Sequence, residues 1–385
     1  MYKMKHIFFA SCALLSASLL TGCIGFFDKD NTPKPSPLVV EYKPEVNPKL
    51  IWSTKAGSGV SDEYLRVGPT ISGSAIYTAG LNGTITSVNK MNGQVNWQSN
   101  TRLPITTSPG VGQGIVVAGS RQGDVIALQA SDGAIRWKVS VPGEILAAPA
   151  VGNNSVIVKA VDGYTRALSL QDGHELWSFQ QVEPNLILRG SSAPLARYND
   201  VLVGFANGNL AKLDGRNGQL IWMQSIAIPE GIFAIQRMID IDADPIIYDH
   251  RIYAATYQGK ISSLSWSSGS VLWSHDISSY TGMVADSNAL YISDAKSHLW
   301  AFNADSGLVN WRQTDLEARV VSGPAVMGNY VVVGDGEGYL HWLSKRDGHY
   351  AGRQNAGAAI YAAPLAENGV LYAFTSKGYL MAYRL

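Results

Sequence analysis

The 385-residue chain has only two cysteines, Cys12 and Cys23, and both stand near its start. The rest of the sequence therefore has no disulfide to staple it, and its stability must come from a packed core. Charge is scarce and even, with 30 Lys+Arg against 30 Asp+Glu and 16% charged residues in all. Such a balance argues against a nucleic-acid binder, which needs a basic surface. Seven histidines are scattered, and no pair has a metal-ligand spacing such as HxxxH. A GxSxG nucleophile turn is missing as well. Helical periodicity is also absent: apolar residues alternate with period two between turn dipeptides. The run of apolar residues at 7–20 is of signal-peptide length and short for a bilayer span.

That run follows Lys3 and Lys5 and ends in Leu20-Thr21-Gly22-Cys23. The segment resembles a bacterial lipobox. The resemblance implies removal of residues 1–22, lipidation of the Cys23 thiol and acylation of its new amino group. Several acyl chains give firm anchoring where one alone binds marginally. Ile24 rather than Asp follows the cysteine, which by resemblance to enterobacterial sorting rules implies the outer membrane. Residues 23–48, rich in Pro, Lys and Asp and without periodicity, read as the lipidated cysteine and a flexible, extended tether.

From residue 49 onward the chain repeats itself. Trp97, Trp137, Trp177, Trp222, Trp273 and Trp311 close similar strands, each four residues after a glycine (Gly93, Gly133, Gly173, Gly218, Gly269, Gly307). Upstream of each lie a Gly-containing turn and an alternating strand, as in NGTITSV, QGDVIAL and KGYLMAY. In the first five units a Pro precedes the Trp by 28 residues. The sixth unit has Met283 in place of the Pro and Ser297 in place of the turn glycine; the seventh has Gly352 in place of the Trp. The eighth stops at Leu385, short of a Trp strand, while KLIWSTK at 49–55 is a Trp strand without the rest of a unit. The pattern predicts an all-β, eight-bladed propeller over 49–385 with four strands per blade. The N-terminal strand completes the last blade and closes the ring, which removes exposed edges. The tryptophans are expected as wedges between blades.

The repeat resembles the PQQ-type propeller motif of quinoprotein alcohol dehydrogenases. Those enzymes carry a vicinal disulfide that stacks the quinone, and the chain after Cys23 has no cysteine at all. A quinone-dependent enzyme is therefore the rival reading, as is a propeller that binds peptidoglycan or unfolded chains directly. DIDADP (240–245) resembles the start of a calcium loop, but Pro245 stands where that loop needs Gly and no Glu follows at its twelfth position. No cofactor or metal is expected.

Insertions into a regular scaffold mark its functional loops. Most connections from a Trp to the next Pro take 10–13 residues, but 52 to 69 and 177 to 194 take 17, and 222 to 245 takes 23. The last two are consecutive and are expected side by side. Both are apolar for surface loops, with charged residues interspersed, which suits a protein-binding patch; mutual packing of the loops is the alternative. Lipobox, Pro-rich tether, eight repeats and the segments LILRGSSAP and MIDIDADPI together resemble the BamB (YfgL) family of outer-membrane assembly lipoproteins. That resemblance implies a non-enzymatic scaffold subunit of the β-barrel assembly (BAM) complex. It implies binding to the POTRA domains of BamA and through it to the other BAM lipoproteins, with unfolded outer-membrane proteins as a further partner. By motif, the contact residues are Leu186, Leu188 and Arg189 with Asp240 and Asp242, and the lipid site is Cys23. The two leucines would be anchors, and the arginine would reach an acceptor on the partner. The aspartates would meet partner cations or hold Arg189.

Overall fold

The computed structural model describes residues 33–39, 41–61, 63–184, 186–188 and 190–385; Cys23, the signal segment and Arg189 lie outside the described residues. Eight antiparallel four-stranded sheets follow one another in chain order. Blade 1 is Thr70–Ser72, Ala75–Ala79, Thr84–Asn89 and Val95–Asn100, and blades 2 to 7 repeat it. Blade 8 takes Leu365–Glu367, Val370–Phe374 and Tyr379–Arg384 from the C-terminus and Lys49–Lys55 from the N-terminal side. The seam is an antiparallel ladder from Lys49↔Arg384 to Lys55↔Tyr379. The expected propeller, closed by its first strand, is what forms.

The second and third strands of each blade are the alternating apolar ones, and they are buried almost throughout. Their side chains gather into eight clusters, each spanning a pair of neighbouring blades. Every blade carries a register shift one residue before the tryptophan or its equivalent, as between Ser87 and Val88 opposite Val95–Trp97. A bulge of this kind bends the outer strand and re-aims its side chain. It turns the indole toward the next blade.

There the indole lies on the turn between that blade's third and fourth strands. Trp97, Trp137, Trp177, Trp273 and Trp311 each donate Nε1–H to a carbonyl of that turn at 2.8–3.1 Å. The same turn holds the repeat glycine. At Gly218, with φ +72°, a Cβ would lie 2.6 Å from the Trp177 ring, so neither the backbone angle nor the space admits a side chain. Blade 6 keeps Gly307 under Trp273, and in its turn between second and third strands Ser297 takes the missing glycine's place by itself adopting φ +73°.

The connections between blades run over one face of the wheel, together with the turns between second and third strands. A backbone N–H of that turn donates to the connecting loop in most blades, as Leu81 to Gly59, Arg121 to Pro104 and Tyr257 to Asp240. In blade 4 a side chain takes over: the Glu183 carboxylate accepts the Ala206 N–H at 3.0 Å.

One expectation is corrected. Residues 36–39 and 41–48, read as flexible tether, lie bonded along blades 6 and 7. Ser36 N–H donates to Glu317 O at 3.0 Å, and Glu45 and Val46 N–H donate to Ala351 O at 2.8 and 3.0 Å. Low periodicity hid this, because the segment contributes single contacts rather than a strand.

Gly218→Ala is expected to destabilise the wheel by roughly 2–4 kcal/mol, combining left-handed backbone strain with overpacking against Trp177. Urea unfolding of the wild type and the variant measures this.

Candidate partner interface

Loop 181–194 joins blade 3 to blade 4, and loop 226–245 joins blade 4 to blade 5. They meet over the top of blade 4. Leu188 N–H donates to Asp240 Oδ1 at 3.0 Å, and Ala193 N–H to Asp244 Oδ1 at 2.6 Å. Gly190 sits against the Asp242 carboxylate, where a Cβ would come within 2.8 Å of Oδ2. Carboxylates from one loop thus hold the backbone of the other, in charge-assisted bonds stronger than neutral ones.

The third long connection, 56–69, comes from the opposite side of the ring and reaches the same place. Arg66 donates from Nη2 to the Asp242 carbonyl at 2.7 Å. Sequence spacing marked this loop as long but gave no reason to place it with the other two.

Of the expected contact residues, Leu186 is exposed and Leu188 half-buried. Asp240 and Asp242 are only 1% and 4% exposed, so of their two expected roles the first, meeting a partner's cation, does not suit carboxylates turned away from solvent. Their observed role is to position loop 181–194. Among the described residues no cluster of His, Cys, Asp and Glu is arranged to hold a metal.

Beneath the loops is a buried polar nest that sequence reasoning missed. Lys159, on the second strand of blade 3 (Ser155–Lys159), is buried and donates to the Gly204 carbonyl. Glu183, Asp242 and Asp240 surround it. Burial pushes the Lys159 ammonium pKa down, against the pull of Glu183 and the aspartates. Burial pushes the Glu183 and Asp242 carboxyls up, against Lys159 in both cases and Arg66 for Asp242. Asp240 is raised to about 7, first by burial and then by the charge of Asp242, although the Leu188 N–H favours its ionised form. Its Oδ2 is buried with no hydrogen-bond partner.

Loop 226–245 also sorts its own apolar residues. Ile226, Met238 and Ile239 are buried, with Ile239 filling the space above Gly208. Ile228, Ile232, Phe233 and Ile235 project into solvent, Ile232 at 90% exposure. This outer excursion ends in a short 3₁₀ turn, Ala234–Arg237, whose Gln236 side chain accepts the Ile232 and Phe233 N–H groups at 3.1 Å. On loop 181–194 Val182 and Leu186 are exposed as well.

The Asp240 carboxyl generates a pH signature. Its folded pKa lies above the ordinary 3.8, so the folded state holds that proton more tightly than the unfolded chain does. Stability drawn from this group is full below about pH 4 and is lost as pH rises to about 7, and Glu183 and Asp242 push the same way. Asp240→Asn keeps the acceptor for Leu188 and is expected to flatten that decline, as read by urea midpoints from pH 4 to 8.

The family profile described as outer membrane protein assembly factor BamB matches residues 81–313 and 301–384. The assembly factor BamB of Legionella pneumophila is 45% identical over 372 residues, covering 95% of this chain and 97% of that protein. The crystal structure of BamB from Moraxella catarrhalis superposes with a TM-score of 0.80 at 28% identity, covering 88% of this chain and 100% of that one. A quinohemoprotein alcohol dehydrogenase from Comamonas testosteroni, at 13% identity and a TM-score of 0.71 over 87% of this chain and 76% of that one, shares the fold alone. With full-length relatives in sequence and a matching wheel in structure, this chain belongs to the BamB family of outer membrane protein assembly factors.

Proposed function

We propose that this chain is a non-enzymatic scaffold subunit of the outer-membrane β-barrel assembly complex, docking on the POTRA domains of BamA through its loop-bearing face. The observation that carries the reading is the exposed Leu186, presented by a loop whose backbone is tied to a buried aspartate at Leu188. A short apolar anchor held rigid before binding loses little conformational entropy when the partner arrives. Leu188, two residues on, is half-buried, and Arg189 follows directly in sequence as the charged contact. Asp240 and Asp242 act from behind, as positioning residues. The exposed Ile228, Ile232, Phe233 and Ile235 add apolar surface toward blade 5, where Gln258 of its turn lies within reach of the Ile235 and Gln236 carbonyls.

In the same reading Cys23 carries the lipid, and the chain sits at the periplasmic face of the outer membrane. The lipobox residues Leu20-Thr21-Gly22-Cys23 support this, as does the family's place in outer-membrane assembly. A closed wheel suits the role because its sheets need no partner for their own stability, so the loops alone meet the other subunit.

Central, desolvated anchors carry most of an interface's energy. Leu186→Ala and Arg189→Ala are each expected to weaken binding to isolated POTRA domains by about 2 kcal/mol, roughly 30-fold. The double variant should no longer co-purify with BamA from envelopes while its urea midpoint stays that of the wild type. Undiminished co-purification would overturn the assignment of these residues.

A further inference from the structure

At seven of the eight blade joints a tryptophan of one blade rests on the hairpin between the third and fourth strands of the next; Trp52 of blade 8 does so on Gly93 of blade 1. The joint from blade 7 to blade 8 cannot be built this way. Blade 8 has no such hairpin, because its third strand, Tyr379–Arg384, and its fourth, Lys49–Lys55, are far apart in the sequence. Both partners of the usual pair are replaced there. Gly352 stands where blade 7 would offer its tryptophan, and Pro48 stands where blade 8 would offer its glycine.

The vacated volume is filled by the segment that precedes the first strand. A Cβ on Gly352 would lie 2.9 Å from both the side chain and the carbonyl of Val46 and 3.5 Å from Pro48 Cδ. Glu45 and Val46 N–H share the Ala351 carbonyl, and Gln354 Nε2 donates to Pro48 O at 2.8 Å. Further along, Arg353 donates to Val39 O at 2.8 Å, and Tyr42 packs on Tyr350 at 5.8 Å between ring centres. His349 meets Glu45 at 2.8 Å. Ser36 is held at both ends, its N–H on Glu317 O and its carbonyl on the buried Arg319, which is itself fixed by Asp335 at 2.8 Å. Tyr350 and Ala351 are buried as a result, whereas the matching outer-strand residues Leu220 and Ile221 of blade 4 are about half exposed.

We infer that residues 36–39 and 41–48 form a docked strap that stands in for the missing tryptophan joint and holds Ser36 at the loop-bearing face, beside loop 314–324. If Cys23 carries lipid, as proposed above, only the 12 residue steps from Cys23 to Pro35 separate the anchor from the strap. That stretch reaches at most about 40 Å, where a tether free up to Pro48 would reach about 85 Å. The anchor then pulls from the same face that carries Leu186.

The strap itself is tested without any partner, so its failure is separable from failure of the docking assignment. Hydrogen exchange on the full lipoprotein in detergent is expected to show the amides of Ser36, Glu45 and Val46 slowed roughly a hundredfold or more relative to a free peptide. Gly352→Trp should displace the strap and remove that protection while the Tyr330–Gly334 strand stays protected. Val46→Asp, which alters only the strap, should do the same and decides the matter if the tryptophan variant does not fold. Free-peptide exchange at 36–48 in the wild type, or protection unchanged in Val46→Asp, would overturn the inference.

Discussion

The wheel depends on a close approach between an indole and a backbone that has no Cβ to keep it away. Seven of the eight blades lend a tryptophan to the next, and the neighbour receives it on a glycine in the left-handed region. The contact unites three things a β-protein otherwise secures separately. It buries a large apolar surface, it satisfies the indole N–H on a turn carbonyl, and it fixes the angle between sheets. Because the same contact recurs around the ring, most blades are held by two neighbours. Where the ring is sewn together the contact has no hairpin to land on, and a different piece of chain has to occupy the space.

Rigidity of the frame is what lets the loops above blades 3 to 5 bury charge. A lysine and several carboxylates lie in or near the nest beneath Leu188, and burying them costs free energy that only fixed geometry recovers. Asp240 shows the balance most plainly. One oxygen holds the Leu188 N–H and the other holds nothing, so its charge is disfavoured even though its bond is useful. The arrangement trades stability for a fixed loop backbone beneath exposed leucine and isoleucine side chains. Arg66, arriving from across the ring, ties a third loop into the same nest.

Much of this was legible beforehand. The Pro, Gly and Trp spacings gave the number of blades, the closure and even the strand that closes it, because each reflects a local requirement: a turn, a left-handed residue, a wedge. The two long connections after Trp177 and Trp222 marked the pair of loops that meet over blade 4. Connection lengths set the two loops side by side, but the residues LILR and DID within them stood out only through their likeness to a family, since nothing in the spacing says that Leu188 bonds to Asp240.

By itself, then, the sequence determined the periodic part of this protein: eight sheets, their order, their joints and the place where the pattern breaks. Tertiary structure alone decided which broken parts face outward. It turned Asp240 and Asp242 inward while leaving Leu186 and Ile232 out, it brought Arg66 to Asp242, and it laid Val46 and Pro48 against Gly352. The reason is physical. Period and turn chemistry act between residues a few positions apart, whereas the burial of a loop residue depends on what else the closed ring brings to the same spot.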